Sequence, residues 1–497
     1  MTPTSQPAIW FSSAHSSLPT LARDLSVPVA IIGAGLMGLT AALELSRAGV
    51  RVIVLERHWI GAGDTGHTTA HVTARPDVPM ADLVSQLGAG KATQLWSAMA
   101  GAVDHIKTRS KQLNVPFHTV DAWLLERGKH LKTELEALLS VGASAFIGTP
   151  PAPLPRKQGL CVRAQARFDI AEYLRAIAAQ AQQLGAEIVE QAAVTAADGN
   201  RLTIASPLGE FTVQAERVII ATHVPVFANP LLLDRLKPTQ SYALALAVPS
   251  GSAPDILCED DEDPYHYYRL ERGATRGHAN EDIVIFGGED HATGQPAQGQ
   301  PLRKLEATLR EWLPNVPTRV LREWSGELWT VADGLPIIGT DDHDRYFGTG
   351  FAGVGMTQAT MAGLMATEWA RGRAVPWQDL FTPKRFSASE VPGFLQRGVG
   401  FVTNLVAAGL PHKLPSLDTL EPGQGAIVRG EAGKAAAYRT LSGQLSQLDS
   451  RCTHAGCELV WNALDSTWDC GCHGSRFGAN GQVRSGPALT PMKPLES

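Results

Sequence analysis

The chain has 497 residues, 44% of them hydrophobic and 19% charged, with a formal net charge of −6. That length exceeds one simple core and implies two to four domains, while the charge balance leaves no basic field for nucleic acid or an anionic membrane surface. No apolar run reaches the roughly 18 residues that span a bilayer, and the first 25 residues lack a signal-peptide pattern, so a cytoplasmic protein is expected.

Taken in order, residues 1–25 read as an N-terminal extension. The stretch Val27–Arg57, VPVAIIGAGLMGLTAALELSRAGVRVIVLER, then gives strand, glycine turn, helix and second strand. In a βαβ dinucleotide site Gly33 allows the tight turn, Gly35 lets backbone approach a pyrophosphate, and Gly38 lets the helix pack closely. The helix N-terminus then holds phosphate, and Glu56, beside Arg57, can bond a ribose hydroxyl. An ordinary Gly-rich turn in an α/β core is the plainer alternative.

A small, polar loop spans Gly61–Pro76. Helices follow at about Ala81–Leu87 and Lys91–Leu113, a short strand at Trp123–Leu125, and a helix at Leu131–Leu139. Thr149–Pro155 is a Pro-rich boundary. Asp169 reads as the N-cap of a helix to Leu184. Glu187–Val194 and two strands around Asp198-Gly199-Asn200 read as a β-meander, and Arg217–Ala221 as a buried strand rejoining the first sheet. From Lys237 to Gly299 the pattern suggests an antiparallel sheet over a substrate pocket, followed by a helix at Leu302–Leu313. Phe381–Leu410 reads as a helical connector, with surface contact with a membrane as the alternative. A small β-rich module spans Pro411–Ser497.

A second glycine cluster, Gly348-x-Gly350-x-x-Gly353-x-Gly355, precedes a helix at Thr357–Arg371. No buried strand or terminal acid completes a second βαβ unit, so the cluster is expected to aim a helix at the first cofactor. GAGLMG with Glu56-Arg57, RVIIAT, DGLPIIG (Asp333–Gly339) and GTGFAGVGMT together resemble the glycine oxidase/D-amino-acid oxidase superfamily of FAD enzymes. The resemblance covers about Asp24–Gly372. It implies an α/β Rossmann-like FAD domain (about 26–80, 156–236 and 315–372) with a central parallel sheet and β-meander. It also implies an α+β substrate domain with an antiparallel sheet (about 81–155 and 237–314). Gly350, Gly353, Gly355, Met356 and Thr357 are placed by it at the flavin, with Asp333, Thr68 and Val194 also against the cofactor. His67 stands where some members tether the flavin covalently; a hydrogen-bonding loop histidine is the alternative.

Family members that oxidise amino acids usually hold the carboxylate with an arginine just before the DG-x-P motif. Here WSGELWTVADG has Glu327 and Leu328 instead, which points away from amino acids and toward a small amine. Tyr267 and Arg269, with Tyr242 and Tyr268, are further candidate pocket residues; sheet packing is the alternative for each.

Four of the six cysteines crowd into 21 residues, as Cys452-Thr-His454-Ala-Gly-Cys457 and Cys470-Gly-Cys472-His473-Gly-Ser475. C-x-H, 15 residues, then C-x₂-H supplies two thiolates and two imidazoles, the donor set of a Rieske [2Fe–2S] cluster, although zinc takes the same set. Both boxes, with Gly486–Ala488, resemble Rieske proteins over about Leu414–Pro494, an all-β domain. The resemblance assigns Cys452, His454, Cys470 and His473 as iron ligands and Cys457 with Cys472 as a disulfide. It also places Ser475 as a donor to the cluster and Phe477 where a tyrosine donor is often found. The whole reads as an FAD oxidoreductase for a small amine, relaying electrons through the cluster to an external acceptor. A cluster-fed flavin reductase using an external donor, and a non-catalytic redox sensor, are the alternatives. Oligomeric state is not legible.

Overall fold

A computed structural model describes residues 8–11, 18–125, 130–154, 158–227, 229–273, 277–278, 280–295, 299–385, 414–430 and 433–495. The connector expected at 381–410 lies outside these residues from 386 onward.

Two runs buried on both faces nucleate the first sheet. Val52–Leu55 is wholly buried, as is the second half of Leu25–Ile32, which is how a parallel strand covered on both sides should read. Around them the sheet runs Ile337–Thr340, Tyr346–Thr349, Gly209–Ile220, Leu25–Ile32, Val52–Leu55, Glu187–Val189, its central pairs parallel. Helices Leu36–Arg47 and Gly355–Ala370 pack together on it. At Gly363 a Cβ would lie 2.7 Å from the Met37 carbonyl, so a side chain there would push them apart.

Two expectations for this sheet change. Glu187–Val189 is not part of the meander but pairs in parallel with Val52–Leu55. Arg217–Ala221 is not a separate strand: it is the end of Gly209–Ile220, whose first half pairs with the meander strand Arg201–Ser206. One long strand serves both partners because its apolar residues stay buried well before Arg217, at Val213 and Ala215.

The second sheet has nine strands, mostly antiparallel, in the order Arg319–Val331, Leu236–Pro249, Glu281–Ala292, His266–Glu271, Leu257–Asp260, Phe117–Leu125, Gly159–Phe168, His71–Val72, with Ala145–Gly148 on Gly159–Phe168. Helix Pro301–Trp312 seals one face with Leu305, Leu309 and Trp312. The strands Gly159–Phe168 and Arg319–Val331 belong to this sheet, although they fall in ranges, 156–236 and 315–372, expected in the FAD domain. The break near 155 joins two strands of this sheet, and that near 315 leads from helix Pro301–Trp312, which packs on it, into its strand Arg319–Val331. The extension also merges with the body: Ala8, Trp10 and Phe11 are buried in the main core, and the Trp10 indole donates to the Thr68 carbonyl.

After helix Gly355–Ala370 comes only the short helix Gln378–Phe381, and no parallel strand follows it among the described residues, so the second glycine cluster opens no second βαβ unit. The C-terminal region is all-β: a three-stranded sheet (Gly425–Gly430, Gly433–Arg439, Leu445–Asp449) and a four-stranded one (Leu459–Asn462, Thr467–Cys470, Arg476–Gly478, Val483–Ser485). No described helix is long and apolar enough to cross a membrane.

Candidate functional site: a dinucleotide cavity beside two cysteine–histidine loops

A large cavity begins at the first glycine turn and runs between the two sheets. Gly33 sits at φ +102°, and a Cβ there would meet the Ala221 carbonyl at 2.6 Å. At Gly38 a Cβ would fall 2.1 Å from the Gly33 carbonyl oxygen, so only glycine allows this turn. Gly35, the N-cap of helix Leu36–Arg47, brings no side chain to the helix end, and the first turn holds no acid. That N-terminus therefore faces the cavity open to phosphate. The Glu56 carboxylate accepts the amides of Ala34 and His58 at 2.8 Å each, one per oxygen, leaving lone pairs for a ligand hydroxyl. Burial raises its pKa against those two amides. Arg57, Val194, Thr68 and His67 line the same cavity.

Gly353, Gly355 and Met356 line the facing wall, where helix Gly355–Ala370 presents a second N-terminus without a side-chain cap or an acid. Three expected cofactor residues stand behind that wall instead. Gly350, at φ +74°, packs against Val331; Thr357 is buried and donates to the Thr73 carbonyl at 2.7 Å. The Asp333 carboxylate caps the Leu335 amide and pairs with Arg385 at 2.7 Å. Asp333 and Gly350 shape turns, because an acid or a glycine is equally what a tight turn needs, while Thr357 ties helix Gly355–Ala370 to the Thr73 backbone.

At the cavity's far end stand His71, Asp77, Ser241, Glu259, Tyr265 and Tyr267. The Tyr267 hydroxyl lies 3.0 Å from Ser241 Oγ, and the ring meets His71 edge-on. Burial, helped by Arg269, holds the His71 pKa down to about 3, so His71 is neutral. Burial raises Asp77, which accepts the Gly353 amide, and Glu259 pairs with Arg75. Arg269 is not a pocket residue: fully buried, it donates to the carbonyls of Thr69, Ala70 and Phe168 and pairs with Glu271. Tyr242 and Tyr268 are core residues too, the first stacked on His291 and the second donating to the Pro254 carbonyl.

Glu327 corrects a different expectation. It borders the cavity, yet along strand Arg319–Val331 the alternate residues Ser325, Glu327 and Trp329 form the face that meets the C-terminal domain. Ser325 donates to Asp465, Glu327 Oε2 accepts from Ser485 at 3.1 Å, and Trp329 packs on Gly474. Glu327 Oε1 has no hydrogen-bond partner among the described residues. Burial and nearby Asp64 hold the Glu327 carboxyl far above the usual range. Asp64, although buried, is held low by His223 at 2.8 Å, so Asp64 carries the charge and Glu327 the proton. The C-terminal domain also adds Arg484, Ser485 and Gly486 to the cavity wall. Sequence reasoning missed Asp64, His223 and this segment because nothing local marks them. His223 alone carries a signal, its positive φ of 63°, and that is visible only in the backbone.

The two cysteine–histidine boxes form facing loops. Cys457 and Cys472 are joined in a disulfide, while Cys452 and Cys470 remain free and buried. The rings of His454 and His473 lie 5.0 Å apart and nearly perpendicular. The Cys470 sulfur lies within 4.8 Å of both disulfide sulfurs, but those are bonded to each other and cannot serve as thiolate ligands. The remaining donors are two thiols and two imidazoles, one pair per loop. The two free thiols are hydrogen-bonded to each other, which lowers the Cys452 pKa, with help from amides and the Ser475 hydroxyl, and raises that of Cys470. Ser475 Oγ in turn accepts the Ala488 amide at 3.0 Å. The open helix ends, the glycine cradle and the Glu56 lone pairs fit a dinucleotide, and the donor set fits a two-iron cluster.

Residues 28–369 match the family model for FAD dependent oxidoreductases (DAO), and residues 413–496 that for the Rieske [2Fe-2S] domain. The chain is 30% identical over 500 residues to the "Putative Rieske 2Fe-2S iron-sulfur protein YhfW" of Bacillus subtilis (strain 168), covering 97% of this chain and 95% of that one. In fold it is similar to L-proline dehydrogenase from P. horikoshii (TM-score 0.60, 19% identity, 73% of this chain and 98% of that one). It is also similar to glycine oxidase from Geobacillus kaustophilus (TM-score 0.59, 15% identity, 73% and 100%).

Proposed function

Since this chain belongs to the FAD-dependent oxidoreductase (DAO) family and carries a C-terminal Rieske [2Fe-2S] domain, we propose that it oxidises a small amine at a carbon–nitrogen bond and relays the electrons through the cluster to an external acceptor. The flavin, when bound, supplies hydride acceptance and the cluster supplies one-electron steps. The observation that carries the amine assignment is the far wall of the cavity. It offers two acids and two tyrosines, Asp77, Glu259, Tyr265 and Tyr267, with a neutral His71. The arginines that line the cavity are Arg57, next to Glu56, and Arg484, on strand Val483–Ser485 of the C-terminal domain. Arg75, beside the far wall, is paired with Glu259, so Asp77 is the acid left there to meet an ammonium group. In this reading Tyr267 and Tyr265 orient the substrate, and Asp77, its pKa raised by burial, takes the proton that frees the nitrogen lone pair. Support for the relay comes from the C-terminal domain itself, which forms part of the cavity wall. We place the protein in the cytoplasm.

The test is an anaerobic panel of primary, secondary and tertiary amines and amino acids, followed by absorbance and paramagnetic resonance. An uncharged-tail amine should bleach the flavin first and reduce the cluster second. Bleaching by amino acids alone would overturn the substrate assignment, and no bleaching by any compound would favour a sensor.

A further inference from the structure

We propose that Trp329 couples the flavin cavity electronically to the cluster loop within a single chain, an inference that rests on the relay reading above. Trp329 is 1% exposed, on the strand face that meets the C-terminal domain. Its indole lies edge-on to His223, ring centroids 6.5 Å apart, and His223 lines the cavity. On its other side a Cβ at Gly474 would come within 2.5 Å of the indole, so ring and loop backbone touch directly. Gly474 follows the expected ligand His473, and its amide donates to the Cys470 carbonyl at 3.0 Å.

The loop is seated from two further sides. A Cβ at Gly294 would meet the Gly471 amide nitrogen at 2.1 Å, and Asp234 lies 3.6 Å from His473 Nε2. Pro238, across the strand pair from Trp329, closes on Gly474 as well. Cavity, His223, Trp329, Gly474 and His473 thus form one run of packed atoms. Electron transfer by tunnelling weakens far more steeply across empty space than through packed or bonded atoms, and a close-packed interior is the favourable medium. The Trp329 N–H has no hydrogen-bond partner among the described residues, so the ring is held by packing and its width fills the gap. A polar role in the fold does not explain it. Each transfer removes one electron from reduced flavin and converts one ferric iron of the cluster to ferrous. The second follows after a one-electron oxidant, ferricyanide in the test below, has restored the cluster, and the flavin protons pass to water.

The experiment uses the full chain with both cofactors, anaerobically, with the flavin photoreduced by EDTA. Flavin absorbance and the paramagnetic signal of the reduced cluster are followed separately, with ferricyanide added for the second turnover. In the wild type the cluster should be reduced after the flavin. Trp329→Leu should slow that step by roughly ten-fold or more, leaving flavin photoreduction, FAD content and iron content unchanged, with Trp329→Phe in between. Cluster reduction at the wild-type rate in Trp329→Leu would overturn the inference while leaving the relay standing. A wild-type cluster that stays oxidised beside reduced flavin would condemn the relay itself. Amide hydrogen exchange of the loop Cys470–Ser475 should stay at its wild-type rate in Trp329→Leu. Fast exchange there, with transfer equally slow in Trp329→Phe, would reduce Trp329 to a packing residue. Should Trp329→Leu not fold, Gly474→Ala displaces the indole from the loop and should slow the same step; an unaltered rate there would also overturn the inference.

Discussion

The two cofactor regions are built on opposite principles. At the dinucleotide cradle the recognising groups are backbone amides and the space that missing side chains leave, at Gly33, Gly35 and Gly38. At the C-terminal loops the donors on offer are four side chains, Cys452, His454, Cys470 and His473, which we propose as the iron ligands. The cradle should therefore fail when an atom is added, and the cluster site when one is taken away.

The sharpest break is at the cluster. Cys470→Ser should abolish the [2Fe–2S] paramagnetic signal and the bound iron, while FAD stays at full occupancy; a chain that keeps its iron would make Cys470 a bystander. Next comes Gly38→Ala, whose one added carbon meets the Gly33 carbonyl. It should cost about 1–3 kcal/mol or more and lower FAD content, read by thermal melting and flavin absorbance, with the cluster retained. A third effect belongs to the cavity's far wall. The His71 pKa is about 3 in the folded chain, by burial and Arg269, and about 6.5 unfolded. As pH falls below 6.5 the unfolded chain takes a proton that the folded chain refuses. Stability should therefore drop by up to roughly 1.4 kcal/mol per pH unit until about pH 3, and His71→Asn should flatten that part of the melting curve. Smallest is Glu56→Gln, which keeps an acceptor but trades a charge-assisted contact for a neutral one. FAD should bind roughly ten-fold more weakly, a cost of about 1–2 kcal/mol by equilibrium dialysis, and the FAD-free chain should also melt lower, because the new amide nitrogen cannot accept from Ala34 or His58.

The same contrast explains what could be read in the sequence. Both cofactor motifs are nearly contiguous, because a tight turn and a metal-binding loop each draw neighbours along the chain, and the first sheet followed from unbroken apolar runs. The misread residues include uncharged ones, Gly350, Thr357, Tyr242 and Tyr268, as well as charged ones. Arg269 and Asp333 have the chemistry of a ligand site, but the first is spent on three buried carbonyls and the second on a turn and Arg385. Glu327 was found as a cavity residue, though its carboxylate belongs to the seam. The seam itself was invisible: Ser325, Glu327 and Trp329 meet Asp465, Ser485 and Gly474 across more than a hundred residues, and no pattern within one strand names its partner.

The wall that Arg484, Ser485 and Gly486 add to the cavity has a consequence for biogenesis. These residues follow every other residue of the cavity wall in chain order, the one before them being Ala359, so the wall is complete only once the C-terminal domain is in place. Docking of the final strand, Val483–Ser485, closes it.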